Sequence, residues 1–174
     1  MKIINTKFAG LKVIQNFIFL DKRGYFRELI AEKEIKKKFL FNVMSFSKKN
    51  VLRGMHLQTK KAQGKYVSVI KGEILDVVVD LRKNSKTFQK QFIIKLSEKN
   101  SKSIFIPPGF AHGFYTLAKE NYIVYSCTSY RSKNHEISLN WKDEDLNIAW
   151  PCTKPIISKK DSKGIALKQL LPLL

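Results

Sequence analysis

Residues 65–81 read KYVSVIKGEILDVVVDL, two runs rich in β-branched apolar residues that are separated at Lys71-Gly72. Valine, isoleucine and tyrosine favour strands, and a glycine-containing break between two such runs is typical of a hairpin. Pro107-Pro108-Gly109 marks another turn farther along the chain. Short apolar runs continue on both sides of the central pair, at residues 12–20, 43–47, 88–96, 103–106, 113–117 and 122–130. This spacing predicts a mainly β protein built as an antiparallel sandwich or barrel.

Few segments carry a helical pattern. Residues 31–39 place charged helix formers around Ile35 and Phe39, and residues 164–171 provide a second short candidate at the C-terminus. We therefore expect only short helices, at the periphery of the β-structure. No internal repeat and no linker rich in Pro, Gly or Ser divides the 174 residues, which predicts one domain over residues 1–174.

The composition excludes several classes of protein. Hydrophobic residues make up 44% of the chain and charged residues 27%, which is typical of a globular protein. No apolar run approaches the ~20 residues of a membrane-spanning helix, and the N-terminal segment lacks the pattern of a secretion signal. We therefore expect a cytoplasmic protein that does not bind membranes. Cys127 and Cys152 form no CxxC motif and are interpreted as buried, reduced thiols.

A formal net charge of +19 raises the question of nucleic-acid binding. The 33 basic residues comprise 28 lysines and 5 arginines, whereas proteins that read bases and phosphates favour the planar, bidentate arginine fork. The lysines are also spread along the chain, and no known nucleic-acid-binding motif accompanies them. The sequence predicts a lysine-rich surface suited to anionic small molecules, and no nucleic-acid partner.

Two of the three histidines lie in β-rich segments, His56 in VLRGMHLQ and His112 in GFAHGF. Either histidine alone would be interpreted as a hydrogen-bonded core residue. Arg53 and Lys65 bring cations to the same apolar surroundings, which favours a small-ligand site inside the barrel. His135 lies in a polar stretch and is interpreted as a solvated surface residue.

The same residues argue against a metal or nucleotide cofactor. Met55 and Leu57 flank His56, so the HxH pair of a metal-binding barrel is missing, and a first-row metal generally needs three or more N or O ligands. GxGxxG, GxxxxGK[ST] and GxSxG motifs are also missing from the sequence. We expect no metal and no cofactor.

Several blocks together resemble one family. They read DKRGYFRE (21–28), LRGMHLQ (52–58), KYVSVIKG (65–72), DVVVDLR (76–82), IPPGFAHGF (106–114), WKD (141–143), IAWP (148–151) and SKKD (158–161). In this order and spacing they are similar to the dTDP-4-dehydrorhamnose 3,5-epimerases and related nucleotide-sugar epimerases of the cupin superfamily. The resemblance implies a cupin, or jelly-roll, antiparallel β-barrel that acts without a cofactor.

The resemblance also implies catalytic roles. Epimerisation beside a carbonyl needs a base on one face of the sugar, a proton donor on the other and a group that stabilises the enolate. His56 corresponds to the family's base, paired with the carboxylate of Asp161. Tyr125 corresponds to the proton donor, and Lys65 to the lysine beside the C4 oxygen. Taken singly, Tyr125 could be a barrel-filling aromatic, Lys65 a strand-edge charge and Asp161 a surface or capping residue.

Further residues correspond to the substrate-binding positions of the family. Arg53, His112, Ser45 and Tyr130 are implied as contacts to the sugar nucleotide. Arg23, Phe26 and Glu28 correspond to nucleotide-side residues that a neighbouring subunit contributes through exchanged N-terminal strands, which implies a homodimer. Taken alone, these three would be an ordinary turn that leads into a strand.

One block departs from the family pattern. The family commonly has Gln and Asn where this chain has Phe41 and Val43. Losing two amides changes the groups offered to the ligand, so the substrate could be a dTDP-linked 4-keto hexose or a GDP-linked 4-keto heptose. The resulting expectation is a cofactor-independent epimerase acting at C3, C5 or both of a nucleotide-linked 4-keto-6-deoxy sugar for surface polysaccharide synthesis. A 3,4-ketoisomerase and a non-catalytic sugar-nucleotide-binding barrel remain alternatives.

Overall fold

The computed structural model describes residues 1–30 and 32–174, most of them in antiparallel sheets. The strands are β1 (Lys2–Asn5), β2 (Lys12–Gln15), β3 (Ile18–Asp21), β4 (Gly24–Arg27), β5 (Phe41–Lys48), β6 (Leu52–Gln58), β7 (Lys65–Lys71), β8 (Glu73–Asp80), β9 (Gln91–Ser97), β10 (Lys102–Ile106), β11 (Phe110–Thr116), β12 (Glu120–Cys127) and β13 (Glu136–Ser138). The prediction of a mainly β, antiparallel barrel with short peripheral helices is confirmed.

Two sheets face each other across the interior. The larger sheet has the order β1-β2-β10-β7-β12-β5, and the smaller has the order β13-β6-β11-β8-β9. Strands β3 and β4 pair only with each other, as a separate hairpin. Strand β5 therefore lies at an edge of the larger sheet, next to β12.

Because successive side chains of a strand point to opposite faces, every second residue of a strand faces the interior. In β8, Ile74 and Val78 belong to the core cluster between the sheets, together with Val67 and Val69 of β7. The alternate residues of β8 pack on the outer face of the smaller sheet, where the C-terminal segment covers them in a cluster that includes Val77, Val79, Leu81, Leu139, Leu167 and Leu170. Both faces of β8 are thus buried, which explains its nearly continuous apolar sequence.

The predicted helices are shorter in the structure. Helix α1 spans Glu32–Ile35 rather than 31–39, and Lys36 ends it with a φ of 57°. Ala31 lies outside the described residues. The C-terminal candidate is helix α2, Leu167–Leu170, followed by the 3-10 helix Leu171–Leu173. None of the helices formed by residues 1–30 and 32–174 is long and apolar enough to cross a membrane.

The predicted run at residues 12–20 is two strands, not one. It breaks at Asn16, whose backbone N–H donates to the carbonyl of Ser101 and whose side chain donates to Ser101 O and Ser103 Oγ. The chain then leaves the sheet and enters the β3–β4 hairpin. A polar residue inside an apolar run was therefore the boundary that the periodicity did not reveal.

A close approach of β6 and β11 brings His56 opposite His112 in the register of the two strands. Gly54 has a φ of +130°, and a Cβ there would lie 2.5 Å from Gly113 Cα. A Cβ on Gly113 would in turn lie 2.6 Å from Met55 Sδ. Only glycine fits on both sides of this contact.

We expect Gly54→Ala to destabilise the protein by roughly 1–3 kcal/mol more than Gly24→Ala, because overpacking adds to backbone strain. Gly24 is a matched control, since it also has a φ of +130° but a Cβ there would meet nothing within 4 Å. Urea unfolding of both variants measures the difference. Equal destabilisation would mean that the β6–β11 contact imposes no steric limit.

Candidate functional site

A cavity of about 280 Å³ opens between the two sheets. Both sheets line it, with side chains from β5, β7 and β12 on one side and from β6, β11 and β13 on the other. The lining residues are Phe41, Val43, Ser45, Arg53, His56, Leu57, Gln58, Gln63, Lys65, His112, Phe114, Tyr125, Cys127, Arg131 and Glu136. A concave site that combines apolar walls with a few convergent polar groups is the usual form of a small-molecule site.

Strand register places the larger sheet's contribution in rows. Phe41, Cys127 and Lys65 are cross-strand partners over β5, β12 and β7. Two residues away on each strand, Val43 of β5 pairs with Tyr125 of β12. Because side chains alternate between faces, residues two apart on one strand point into the same cavity. The Phe41–Val43 pair singled out from the sequence therefore forms an apolar wall of the cavity.

His56 and Asp161 form a hydrogen-bonded pair although they are far apart in the chain. His56 Nε2 lies 2.7 Å from Asp161 Oδ1, and the Gly54 N–H donates to Asp161 Oδ2 over 3.3 Å. The Asp161 side chain is 5% exposed. Burial raises the pKa of this carboxyl, but the hydrogen bond and charge of His56 outweigh it, so the net pKa lies below its ordinary value.

The segment that carries Asp161 is anchored on both sides. Ile156 bridges to Val51 beside β6, and Ile165 bridges to Leu139 after β13. Between these bridges, the backbone N–H of Asp161 donates to Ser158 Oγ over 3.0 Å, inside the turn that leads into the 3-10 helix Asp161–Lys163. These contacts hold the carboxylate against the His56 ring.

Tyr125 lies on the other sheet from His56 and lines the same cavity. Its hydroxyl is 3.2 Å from Ser45 Oγ. Burial raises the pKa of Tyr125 above its ordinary value, which keeps the phenol protonated at neutral pH. The hydroxyl is therefore a proton donor at neutral pH, in the cavity that His56 also lines.

Lys65 stands at the start of β7 and points into the cavity. Burial lowers the pKa of its ammonium group below its ordinary value, although the nearby groups Cys127, Glu136 and Asp76 act to raise it. Its amine makes no hydrogen bond to any residue in the ranges 1–30 and 32–174. A partly desolvated cation of this kind interacts strongly with an anion that enters the cavity.

A second histidine–carboxylate pair lies deeper in the barrel. His112 Nε2 is 2.8 Å from Asp76 Oδ2, and both side chains are buried. The other oxygen, Asp76 Oδ1, is buried without a hydrogen bond from the described part of the chain. Asp76 was not singled out from the sequence, although a carboxylate within the apolar run ILDVVVD was a signal of this pair.

Arg53 lines the cavity with two of its three guanidinium nitrogens engaged in hydrogen bonds. Its Nε donates to Ser47 Oγ over 2.9 Å, and its Nη2 donates to the carbonyl of Phe46 over 3.0 Å. These bonds fix the guanidinium beside His56, where both side chains border the cavity.

Four predicted binding residues lie outside the cavity of their own chain. Arg23, Phe26 and Glu28 are exposed on or beside the β3–β4 hairpin, and Arg23 pairs with Asp21 at 2.6 Å. Tyr130 is 66% exposed and stacks on Phe41, with ring centroids 5.3 Å apart and an interplanar angle of 17°. The hairpin residues thus cannot complete this cavity within one chain.

Sequence reasoning missed several cavity residues. Cys127 follows Tyr125 by two positions, so strand alternation could have indicated it. Gln63, Arg131 and Glu136 lie in or beside loops, where no periodicity marks them. His135, predicted as a solvated surface residue, is half-buried in a 3-10 helix and bonds Ser132 Oγ through Nδ1.

Arg131 and Glu136 form an ion pair at the cavity. Arg131 Nε donates to Glu136 Oε2 over 2.5 Å, and Lys160 Nζ donates to Glu136 Oε1 over 2.7 Å. Burial acts to raise the pKa of Glu136, but these two hydrogen bonds outweigh it and lower the pKa to about 2.

The two cysteines, both predicted to be buried, differ in their exposure. Cys127 is buried as expected, whereas Cys152 is only partly buried, because it lies in the irregular segment that follows Trp150. Within residues 1–30 and 32–174, no three His, Cys, Asp or Glu side chains come together as metal ligands. Independence from metal ions stays a prediction.

Comparison with known proteins gives a consistent result. Residues 5–169 match the family described as dTDP-4-dehydrorhamnose 3,5-epimerase. The enzyme of that name from Methanothermobacter thermautotrophicus is 39% identical over 176 residues, covering 97% of this chain and 95% of the relative. The Shigella flexneri enzyme of the same name is 39% identical over 171 residues, covering 94% of each chain.

Solved structures with similar folds carry related names. A dTDP-6-deoxy-D-glucose-3,5-epimerase from Legionella pneumophila, in complex with dTDP-4-keto-L-rhamnose, has a TM-score of 0.91 and 39% identity and covers 96% of this chain and 93% of its own. A 3'-monoepimerase from Streptomyces bikiniensis, in complex with dTDP-quinovose, has a TM-score of 0.89 and 28% identity, with coverages of 95% and 88%.

The lowered pKa of Asp161 predicts a pH-dependent effect of Asp161→Asn. At pH 7 we expect the variant to be less stable by about 1–3 kcal/mol, because a buried charge-assisted hydrogen bond is lost. The carboxylate's contribution is fully present above its unfolded pKa and is lost as the pH falls through its lower folded pKa. The stability gap between wild type and variant should therefore shrink below about pH 4.

Urea unfolding at pH 7, 4 and 3 measures this gap. Asp145→Asn is the control, since Asp145 forms only an exposed ion pair with Lys168 at 3.5 Å. The control should change stability by less than about 1 kcal/mol at every pH. A gap for Asp161→Asn that stays constant or widens between pH 4 and pH 3 would contradict the assignment.

Proposed function

Because the chain belongs to the dTDP-4-dehydrorhamnose 3,5-epimerase family, we propose that it is an isomerase that inverts C3 and C5 of a dTDP-linked 4-keto-6-deoxy hexose. The observation that carries this proposal is the cavity that the His56–Asp161 pair, Lys65 and Tyr125 share. The reaction requires a base, a proton donor and a group that stabilises the enolate, and these residues supply them.

His56 is the proposed base. The C3 and C5 hydrogens of a 4-keto sugar are acidified by the neighbouring carbonyl, and a neutral imidazole can remove one of them. With Nε2 donating its proton to Asp161, the lone pair lies on Nδ1, which is the atom that accepts the substrate proton. Asp161 then stabilises the imidazolium that forms.

Tyr125 is the proposed proton donor on the opposite face of the sugar. It comes from the facing sheet, and its raised pKa favours a protonated phenol. Removing the proton on one face and returning one on the other inverts the carbon. Ser45, 3.2 Å from the phenol, orients the hydroxyl as a positioning residue.

Lys65 is the proposed stabiliser of the enolate. Between the two proton transfers the C4 oxygen carries negative charge, and a fixed cation in a poorly solvated cavity lowers the energy of that state. The free amine of Lys65 is suited to this role, since no residue of the described chain engages it by hydrogen bonding. No redox step occurs, so this chemistry requires no cofactor.

The nucleotide is proposed to be dTDP rather than GDP. The names of the relatives and of the ligands in the solved structures above support dTDP. Phe41 and Val43 form an apolar wall, so the part of the substrate that faces them is apolar, as a C6 methyl group is. A GDP-linked heptose is the outcome that would replace this assignment.

A homodimer with shared sites is the proposed assembly. The β3–β4 hairpin and its approach expose Phe17, Ile18, Phe19, Leu20, Tyr25 and Phe26, each at least 38% exposed. Edge strand β5 exposes Met44 and Phe46 as well. Exposed apolar surface and an exposed edge strand are both typical of an interface, and a second copy would bring Arg23, Phe26 and Glu28 to its partner's cavity.

The reaction is tested by incubating the protein with dTDP- and GDP-linked 4-keto sugars in D2O. Wild type should introduce deuterium at C3 and C5 of the dTDP-linked hexose, with inversion detected by NMR. Exchange only with a GDP-linked sugar would replace the substrate assignment, and migration of the ketone from C4 to C3 would indicate a ketoisomerase. No exchange with any of them would contradict the proposed function.

Two variants separate the proposed roles in the same assay. His56→Asn should lower turnover by about 10²–10⁴, the usual range for loss of a general base. Tyr125→Phe should retain deuterium wash-in with retention of configuration while inversion falls. Tyr122→Phe is the matched control, because Tyr122 is on the same strand, packs against Phe46 and does not line the cavity. Near-normal inversion by Tyr125→Phe would remove Tyr125 from the donor role.

Shared sites predict complementation between two impaired variants. His56→Asn and Arg23→Gln damage different parts of each composite site, so a mixed dimer contains one intact site. Random exchange of subunits should restore about a quarter of the wild-type rate, because half of the dimers are mixed and one of their two sites is intact. The rate is measured at low substrate after co-refolding. A rate equal to the average of the two unmixed variants would contradict a shared site.

A further inference from the structure

A cluster of three charged side chains lies at the rim of the cavity. Arg131 and Lys160 both donate to the carboxylate of Glu136, at 2.5 Å and 2.7 Å. The Glu136 side chain is 11% exposed, whereas Arg131 is 54% and Lys160 46% exposed. One carboxylate thus holds two cations at the surface, and the cluster carries a net positive charge.

This rim cluster borders two cavities. The second, of about 380 Å³, shares Arg53, His56, Arg131 and Glu136 with the first and extends to Lys160. His56 and the rim cluster border both cavities, so a ligand whose reacting sugar lies at His56 has a path outward past Arg131. The group attached to the sugar of a nucleotide sugar is the diphosphate, so the rim is where two negative charges need partners.

The donors of the cavity arginines are not equally available. Arg53 has Nε and Nη2 committed to Ser47 and to the carbonyl of Phe46. Arg131 has only Nε committed, and its two terminal nitrogens bond to nothing in the described part of the chain. In a guanidinium held through Nε by a carboxylate, the end-on pair of one Nη1–H and one Nη2–H stays free, in the fork geometry that matches phosphate oxygens.

We propose that Arg131 binds the diphosphate of the nucleotide sugar and that Glu136 orients it. This inference rests on the proposed function for the identity of the ligand, but not for the position of the cation. Arg131 is then a specificity-determining residue, since its charge favours a diphosphate-linked sugar over the free sugar. Arg131→Lys would keep the positive charge but lose the paired N–H donors of the guanidinium.

The test measures binding rather than turnover. Inorganic pyrophosphate and dTDP are titrated by calorimetry into wild type, Arg131→Gln, Arg131→Lys and Lys133→Gln. We expect Arg131→Gln to raise the Kd of both ligands by about 10-fold or more, because one charge-assisted contact is lost. Arg131→Lys should restore part of the lost affinity. Lys133→Gln removes the same charge from an exposed residue that does not line the cavity, and should leave both affinities unchanged.

Turnover supplies a second readout that a merely structural role would not give. With dTDP-linked substrate, the effect of Arg131→Gln should fall on KM rather than on kcat, and higher salt should narrow the gap to wild type. Melting temperatures of all variants establish that the fold is kept.

The outcomes separate the possibilities. Unchanged affinity for both ligands in Arg131→Gln overturns the proposal. Weakened dTDP with unchanged pyrophosphate also overturns it, because Arg131 would then contact the nucleoside. If wild type exchanges no deuterium with any sugar while Arg131→Gln still weakens pyrophosphate, the diphosphate site stands and the proposed function fails.

Discussion

Charge inside a barrel must be compensated, and this constraint organises the whole site. A carboxylate removed from water is stable only with hydrogen bonds or a counter-charge. Asp161 has His56 and the Gly54 N–H, Asp76 has His112, and Glu136 has two cations at the rim. Lys65 is the exception, since its cation is desolvated without a hydrogen-bonded partner from the described chain. An anion that enters the cavity would supply the partner that Lys65 lacks.

The sheets fix the positions of the side chains that line the cavity, and a loop segment supplies the carboxylate partner of His56. Cross-strand register fixes Lys65 and Tyr125 on one wall and His56 and His112 on the other, without any dependence on loop conformation. Asp161 belongs to a loop segment fastened to the sheet at both ends. Rigid strands thus hold the groups that would touch a substrate, while carboxylates from elsewhere set their charge and orientation.

Much of the fold and of the site was predictable from the spacing of the apolar, β-branched runs and from the order of the blocks that resemble the family. The apolar, β-branched runs on both sides of Gly72 indicated an antiparallel barrel, and the blocks around His56, Lys65 and His112 indicated where its interior is polar. Arg131 and Glu136 could not be found in this way, because Arg131 lies in a loop and Glu136 begins a strand of only three residues, so no periodicity marks either. The break at Asn16 was missed for a similar reason: its hydrogen bonds go to Ser101, on a distant part of the chain.

The separation between His56 and Asp161 has a consequence for biosynthesis. The two residues are 105 positions apart, and the carboxylate lies close to the C-terminus. A ribosome that adds about 5–20 residues per second leaves His56 without its partner for roughly 5–20 s after it is made. All of the strands precede Asp161 in the chain, so the residues that line the cavity from the two sheets are made before this carboxylate. His56 therefore acquires its carboxylate partner only after translation has passed Asp161.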